Sequence, residues 1–254
     1  MTHISSTPSQ IVQSAVLEPH LPPMIRLTGV TKRYRMGSVI IGALLDVSLE
    51  VQRGEFVSIM GPSGSGKSSL LQILGALDAP TEGQYELEGT DIARLPDAEL
   101  ARIRNRSFGF VFQAYNLFSE MTALENVELP LIYAGVHGRA RRDAARAQLE
   151  AVGLGDRLTH LPGQLSGGQQ QRVAIARALV SDPTLILGDE PTGNLSTRDG
   201  DEILAILARL NDGGVSIVLV THDERVGALA KRRVRLEDGR VVGDERIAQR
   251  TVLA

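Results

Sequence analysis

Two glycine turns and one pair of acids carry the chemistry open to this sequence. The first turn, Gly61-Pro62-Ser63-Gly64-Ser65-Gly66-Lys67-Ser68, fits the pattern G-x-x-x-x-G-K-[ST] in full. Its glycines let successive backbone N–H groups curl around a β-phosphate, Lys67 sets a point charge between β- and γ-phosphates, and the Ser68 hydroxyl is a Mg²⁺ ligand. Ser69 follows within reach of an α-phosphate. The second turn, Leu165-Ser166-Gly167-Gly168-Gln169-Gln170-Gln171-Arg172, comes about a hundred residues later. Two adjacent glycines let the backbone approach a ligand closely, and Ser166 adds a hydroxyl donor. A helix expected from roughly Gln169 to Val180 aims free N–H groups and a positive dipole end at the same spot. The chain therefore holds two anion-binding helix ends.

The acids follow. Leu185-Ile186-Leu187-Gly188-Asp189-Glu190 reads as an apolar strand ending in two carboxylates. A buried parallel strand delivers such groups at its C-terminal edge, beside a phosphate loop in the same sheet. Asp189 is placed to hold a Mg²⁺ shell and Glu190 to polarise an attacking water as general base. Taken alone, Asp-Glu-Pro also ends a strand and starts a turn. His222 follows the apolar run Val215–Val220 and lands at the same edge, within reach of a γ-phosphate. Tyr34 precedes the phosphate loop by 27 residues. An aromatic there would stack on adenine, although an isolated Tyr is more often core. Gln113 follows the apolar run Phe108–Phe112, and an isolated Gln is usually a surface residue.

These groups need a scaffold, and the hydrophobic pattern supplies one. Arg26–Val30 and Leu44–Val51 alternate as strands do, and Glu55–Met60 is a short apolar strand leading into the phosphate loop. Lys67–Leu77 places Leu70, Leu71 and Leu74 on one helical face. Gly83–Leu87 reads as a strand. Asp97 to about Val180 reads as mostly helical, interrupted by a strand at Phe108–Phe112. Then come a strand at Leu185–Gly188, a helix at Gly200–Leu210, a strand at Val215–Val220 and a hairpin at Arg233–Val242 turning on Asp238-Gly239. The expected fold is α/β: a parallel-sheet core, an antiparallel β-region at the start and a helical subdomain inserted over about 97–180.

Composition removes several function classes. The 254 residues carry a formal net charge of -3, which argues against bulk binding of nucleic acid. Without cysteine there is no disulfide, no thiol catalysis and no Cys-based zinc site. The apolar run near Val39–Leu45 falls far short of the roughly 18 residues of a membrane span, so any membrane spans are expected from another chain. Residues 1–23 are rich in Ser, Thr and Pro and have no Lys or Arg, unlike a signal or transit peptide; they are expected to be a disordered extension, with Met24 as an alternative start. The basic clusters at Arg102/Arg104/Arg106, Arg139/Arg141/Arg142/Arg146 and Lys231/Arg232/Arg233/Arg235 have acidic neighbours or helical spacing and read as solvated faces.

The order Tyr34, phosphate loop, Gln113, Leu165–Arg172 signature, Asp189-Glu190, His222 resembles a nucleotide-binding subunit of the ATP-binding-cassette (ABC) ATPases, from about Met24 to Val242. The resemblance implies a P-loop ATPase domain over 24–254 that uses ATP and Mg²⁺. It implies a homodimer in which each Ser166–Gln169 signature closes over ATP held by the partner. It also implies that Gln113 reaches Mg²⁺ or the lytic water and reports the γ-phosphate to the helical lobe. Phe108–Leu117, Thr122–Val127 and Asp189–Leu195 are similar to the group containing the macrolide exporter, lipoprotein-releasing and FtsE-like ATPases. That likeness implies a place at the cytoplasmic face of the cell membrane, peripheral to permease subunits with large extracytoplasmic domains, with or without a periplasmic adaptor. The output is then export or extraction of a lipoprotein, peptide or drug-like substrate, or a mechanical signal without transport. Leu117–Leu124 would dock a short permease helix, with Phe118, Met121 and Leu124 as anchors. A nucleic-acid role is disfavoured because the cassette lacks long insertions.

One position departs from the pattern: Ser196 stands where the family usually carries Asp. Either the two ATP sites are less tightly coupled for want of a carboxylate, or Ser196 caps the following helix and Asp199 supplies the charge.

Overall fold

The computed structural model describes residues 22–247. The extension expected over 1–23 lies outside the described residues except for Pro22 and Pro23, and Pro23 is buried beside Met24. In chain order the elements are β1 (Ile25–Met36), β2 (Val39–Val51), β3 (Phe56–Met60), α1 (Lys67–Leu74), β4 (Glu82–Leu87) and β5 (Thr90–Asp91). Then come α2 (Asp97–Ser107), β6 (Phe108–Phe112), α3 (Ala123–Tyr133), α4 (Gly138–Ala151), α5 (Gly167–Leu179) and β7 (Leu185–Asp189). The chain ends with α6 (Thr197–Asp212), β8 (Ser216–Thr221), α7 (Glu224–Leu229), β9 (Arg232–Glu237) and β10 (Arg240–Arg246).

Two sheets form. A four-stranded antiparallel sheet runs β2-β1-β4-β5, and a six-stranded sheet runs β10-β9-β3-β8-β7-β6, parallel except for β10. β3 and β8 are buried along their whole length, as parallel strands covered on both faces must be. Their side chains alternate between two cores. Val57, Ile59, Leu185, Leu187, Val218 and Val220 face α1 and the antiparallel sheet. Phe56, Ile186, Ile217 and Leu219 face the helices of the inserted lobe and α6. The strand period of two thus sorts one apolar run onto two sides. The α/β architecture expected from the sequence is the one observed.

The inserted lobe packs α3 and α4 on α5. Thr122 and Glu125 close a capping box at the start of α3. α5 lies directly on β6: a Cβ on Gly109 would come 2.4 Å from the Ala178 carbonyl oxygen, so only glycine admits the helix there.

Several expectations shift. β2 starts at Val39 rather than Leu44, because Val39–Ile41 pair with Tyr34–Met36 in a long hairpin. α1 stops at Leu74, three residues early: Gly75 tucks against the Phe110 ring, where a Cβ would clash at 2.5 Å, and Ala76 turns to φ 51°. α6 starts at Thr197. The solvated-face reading fails for three basic residues. Arg232 is largely buried between Glu55 and Asp244, Arg141 pairs with buried Glu128 at 2.8 Å, and Arg104 donates to the Ala76 carbonyl at 2.8 Å.

Candidate active site

The phosphate loop joins β3 to α1. A Cβ on Gly61 would sit 2.1 Å from the Leu236 carbonyl oxygen, and one on Gly66 (φ +99°) 2.3 Å from the Ala43 carbonyl oxygen. Glycine is the residue that fits this crossing between β2, β3 and β9. No side chain caps α1, so its first-turn N–H groups stay available to an anion. Pro62, Ser63 and Gly64 are exposed at the rim. Lys67 is buried and bends back over the loop, its ammonium donating to the Gly61 and Pro62 carbonyls at 2.8 Å each. The Ser65 hydroxyl is buried without a partner.

The sheet brings the acids to this loop. Asp189 ends β7 and pairs in register with Phe112 of β6 and Val220 of β8. Burial and the neighbouring Glu190 charge push its carboxyl above the usual range, against the pull of Lys67 and a hydrogen bond with Ser68. Lys67 and Ser68 of the loop thus both act on the Asp189 carboxyl. Glu190 takes a left-handed φ of 45° and its N–H bonds the Val220 carbonyl at 2.9 Å, a strained backbone of the kind found at working sites. Its carboxylate lies 2.7 Å from His222 Nδ1. An ionised carboxylate only accepts, so the ring nitrogen donates. His222 Nε2 has no hydrogen-bond partner among the described residues.

Tyr34 reaches the same end of α1. Its hydroxyl donates to Asp78 Oδ2 at 3.0 Å and lies 3.4 Å from Ser69 Oγ, and the Lys32 ammonium is 5.0 Å from its ring centre. Burial raises the Asp78 carboxyl, but its bonds with Lys32 and Tyr34 outweigh this and hold it below the usual range. Gln113 follows β6 directly, at the end of the sheet that carries the acids. Its amide donates to Asn194 Oδ1 at 3.1 Å while Asn194 donates back to its carbonyl at 3.0 Å, so it is tied to the turn after the acids.

The signature turn is more tightly built than its sequence suggests. Ser166 caps α5: its hydroxyl accepts from the Gln169 N–H at 3.3 Å, and Gln169 Oε1 accepts from the Ser166 N–H at 2.9 Å. Gln169 thus serves its own helix cap. A Cβ on Gly167 would come 2.9 Å from the Tyr115 hydroxyl, and one on Gly168 2.9 Å from the Asp199 carboxylate. The glycines make room for two neighbours of the same chain. Ser196 caps α6, accepting from the Asp199 N–H at 3.2 Å and donating to Asp199 Oδ2 at 2.8 Å. Of the two readings of Ser196, this geometry is the capping one.

Sequence reasoning missed Gln171 and Asn194. Gln171 is fully buried and donates to the Pro191 carbonyl at 2.6 Å, fastening α5 to the turn that follows the acids. It stands third in a run of glutamines, a residue type that is mostly exposed, so nothing in the pattern marks it. Among the described residues no hydrogen bond joins the signature turn to the phosphate loop; α5 packs on β6, α3, α4 and α6.

Away from the phosphate loop lies a cavity of about 780 Å³ between α2, β6 and α3, lined among others by Leu77, Arg102, Arg106, Phe118, Tyr133 and Arg177. Phe118 and Tyr133 are exposed there. Leu124, expected as an anchor beside Phe118, packs instead against the helical core.

Residues 44–193 match the family described as ABC transporter. The chain belongs to the ABC transporter family. It is an ABC ATPase cassette, with the nucleotide-binding sequence features of that family. It is 57% identical over 224 residues to a macrolide export ATP-binding/permease protein, MacB 1/2, of Paracoccus denitrificans, and 56% identical to an ABC transporter ATP-binding protein of Thermotoga maritima. Each match covers 88% of this chain, but 34% of the first relative and 95% of the second. The chain therefore spans about a third of the MacB relatives and nearly all of the free-standing ones. Among solved structures it resembles the dimeric cassette MJ0796, at 49% identity and a TM-score of 0.83, over 89% of this chain and 99% of that one. A second structure of that cassette is a dimeric post-hydrolysis state bound to ADP and Pi. No helix among the described residues is long and apolar enough to cross a membrane.

Proposed function

We propose that this cassette hydrolyses ATP in sites completed by two copies of the chain, and that their closure drives a permease. The observation that carries the reading is the separation just described. One chain holds a phosphate loop with its acids and a glycine turn at a second helix end, and among the described residues no hydrogen bond joins that turn to the phosphate loop. A twofold dimer lays each turn over the other copy's nucleotide. The dimeric state of MJ0796 supports the same arrangement.

In this reading the loop Gly61–Ser69 cradles the phosphates and Tyr34 stacks on adenine. Lys67 leaves its carbonyl partners for the β- and γ-phosphates. Glu190 accepts a proton from the attacking water, held in position by His222, whose free Nε2 is available to the γ-phosphate. Gln113 senses the same group from its seat on Asn194. Ser166, Gly167, Gly168 and Gln169 form the partner's cover.

The site suits Mg²⁺. Ser68 and Asp189 are hard oxygen donors on neighbouring elements of one sheet edge, and the raised Asp189 carboxyl is the state a nearby cation would reverse. Gln113 completes the proposed metal-facing set. A bound Mg²⁺ would neutralise charge on the transferred phosphoryl group.

The macrolide-export names of relatives support export through a permease; to this the reading adds export or extraction of a drug-like, peptide or lipoprotein substrate, permease subunits with large extracytoplasmic domains, and a place with or without a periplasmic adaptor. The cassette then works at the cytoplasmic membrane face. The cavity that exposes Phe118 and Tyr133 is the proposed seat of a permease segment.

The test is Glu190→Gln, which keeps shape and loses basicity. With ATP it should trap a dimer by light scattering, while hydrolysis falls by about two to four orders of magnitude. A variant that remains monomeric with saturating ATP, alone and with its permease, would overturn the shared-site reading.

A further inference from the structure

α5 carries one side chain that the proposed chemistry does not use. Arg177 stands in its last turn, yet its guanidinium reaches back along the helix, as long helical side chains do. It donates to the Asn116 carbonyl at 2.5 Å and to the Tyr115 carbonyl at 2.8 Å. Both accepting residues are non-glycine and sit in the left-handed region, Asn116 at φ 51° and Tyr115 at φ 58°. Such a turn is uncommon and needs its surroundings to hold it. The planar, forked guanidinium can hold two adjacent carbonyls at once, which an ammonium cannot do in the same way.

The turn held in this way follows directly from Gln113. Its other end is occupied too, because the Tyr115 hydroxyl lies against Gly167 of the signature turn. The segment 113–116 is therefore fastened to α5 at two levels, by Arg177 low on the helix and by Tyr115 at its start. Gln171 ties the same helix to Pro191, and Gln113 is tied to Asn194. Arg177 also lines the cavity assigned to the permease. It lies where the γ-phosphate sensor, the signature helix and the docking cavity meet.

We infer that Arg177 is a positioning residue that makes segment 113–116 and α5 move as one unit, so that the state of the nucleotide at Gln113 sets the placement of the signature turn. The inference rests on the proposed role of Gln113. Burial weakens the hold of the guanidinium on its proton, and among the described residues it has no ion-pair partner, so the two carbonyls are the groups that stabilise its charge.

Arg177→Met keeps length and apolar bulk and removes both donors; Arg177→Lys keeps charge and one donor reach. Both are made in the Glu190→Gln parent. Hydrogen exchange is followed over 113–117 and 166–172, with and without Mg-ATP, and melting temperatures are recorded alongside. The parent should gain protection in both segments on ATP addition. Arg177→Met should keep the nucleotide response at 113–117 and lose it at 166–172, with Arg177→Lys between the two. In the active background, Arg177→Met should lower kcat several-fold with little change in KM for ATP. If both segments of Arg177→Met still respond together, the strut is wrong while the reading of Gln113 stands. If neither segment of the parent responds, the reading of Gln113 fails and takes the strut with it. If Arg177→Met does not fold, Arg177→Lys decides: a full parental response at 166–172 overturns the inference, and a diminished one supports it.

Discussion

At the residue scale the site is a set of charges held a short distance from where they act. The Lys67 ammonium donates to two carbonyls of its own loop. Lys67→Met should reduce ATP turnover by about two to three orders of magnitude, the usual cost of removing one electrostatic partner of a transition state. Near-wild-type hydrolysis by that purified variant would show that the loop is not the reaction site. Ser196 makes a finer case. Its hydroxyl both caps α6 and donates to Asp199. An Asp here would still cap, but it could not donate and would face a like charge. Ser196→Asp should therefore cost about 1 kcal/mol in thermal unfolding and leave the Hill coefficient for ATP unchanged. A raised Hill coefficient in the permease complex would mean that the acid acts across the dimer instead. The motif residues were legible because phosphate chemistry demands fixed types at fixed spacing. Gln171 and Asn194 were not, because their partners are backbone carbonyls or amides distant in sequence, and hydrogen-bond geometry leaves no pattern in a single chain.

At the element scale, most strand and helix identities followed from period and their ends did not, while the two-residue β5 and the six-residue α7 were too short to show a period. The buried strands β3, β7 and β8 were clear from continuous apolar runs. α1 was read three residues too long because its apolar pattern continues past the point where Gly75 must pass the Phe110 ring. The same kind of contact fixes α5 on β6. Gly109→Ala should destabilise the fold by about 1–3 kcal/mol, because the new methyl meets a backbone carbonyl that cannot turn aside. An unchanged melting temperature would show that α5 can lift from β6 freely. In the proposed docking segment Phe118 is exposed, whereas Leu124 is partly buried against the helical core. Phe118→Asp should weaken copurification with the permease about tenfold or more and leave basal ATP hydrolysis in place. Loss of basal activity in that variant would mean the side chain supports the cassette itself.

At the scale of the whole molecule, one sheet edge gathers the phosphate loop, both acids and His222, while the signature turn belongs to a helix on the other core. The basic clusters show how far charge patterns mislead at this scale: Arg232 and Arg141 stitch elements together rather than facing water. The central claim is that each reaction site takes its loop from one copy and its signature from the other, and mixing two inactive variants tests it most directly. Lys67→Met lacks a working loop, and Ser166→Arg lacks a working cover. Each alone should be inactive as a homodimer. Mixed in equal amounts under conditions of subunit exchange, they form dimers with one site whose loop and cover are both intact, and ATP hydrolysis should rise well above the sum of the two. No recovery despite demonstrated heterodimers would contradict the account and place the signature with its own chain's nucleotide.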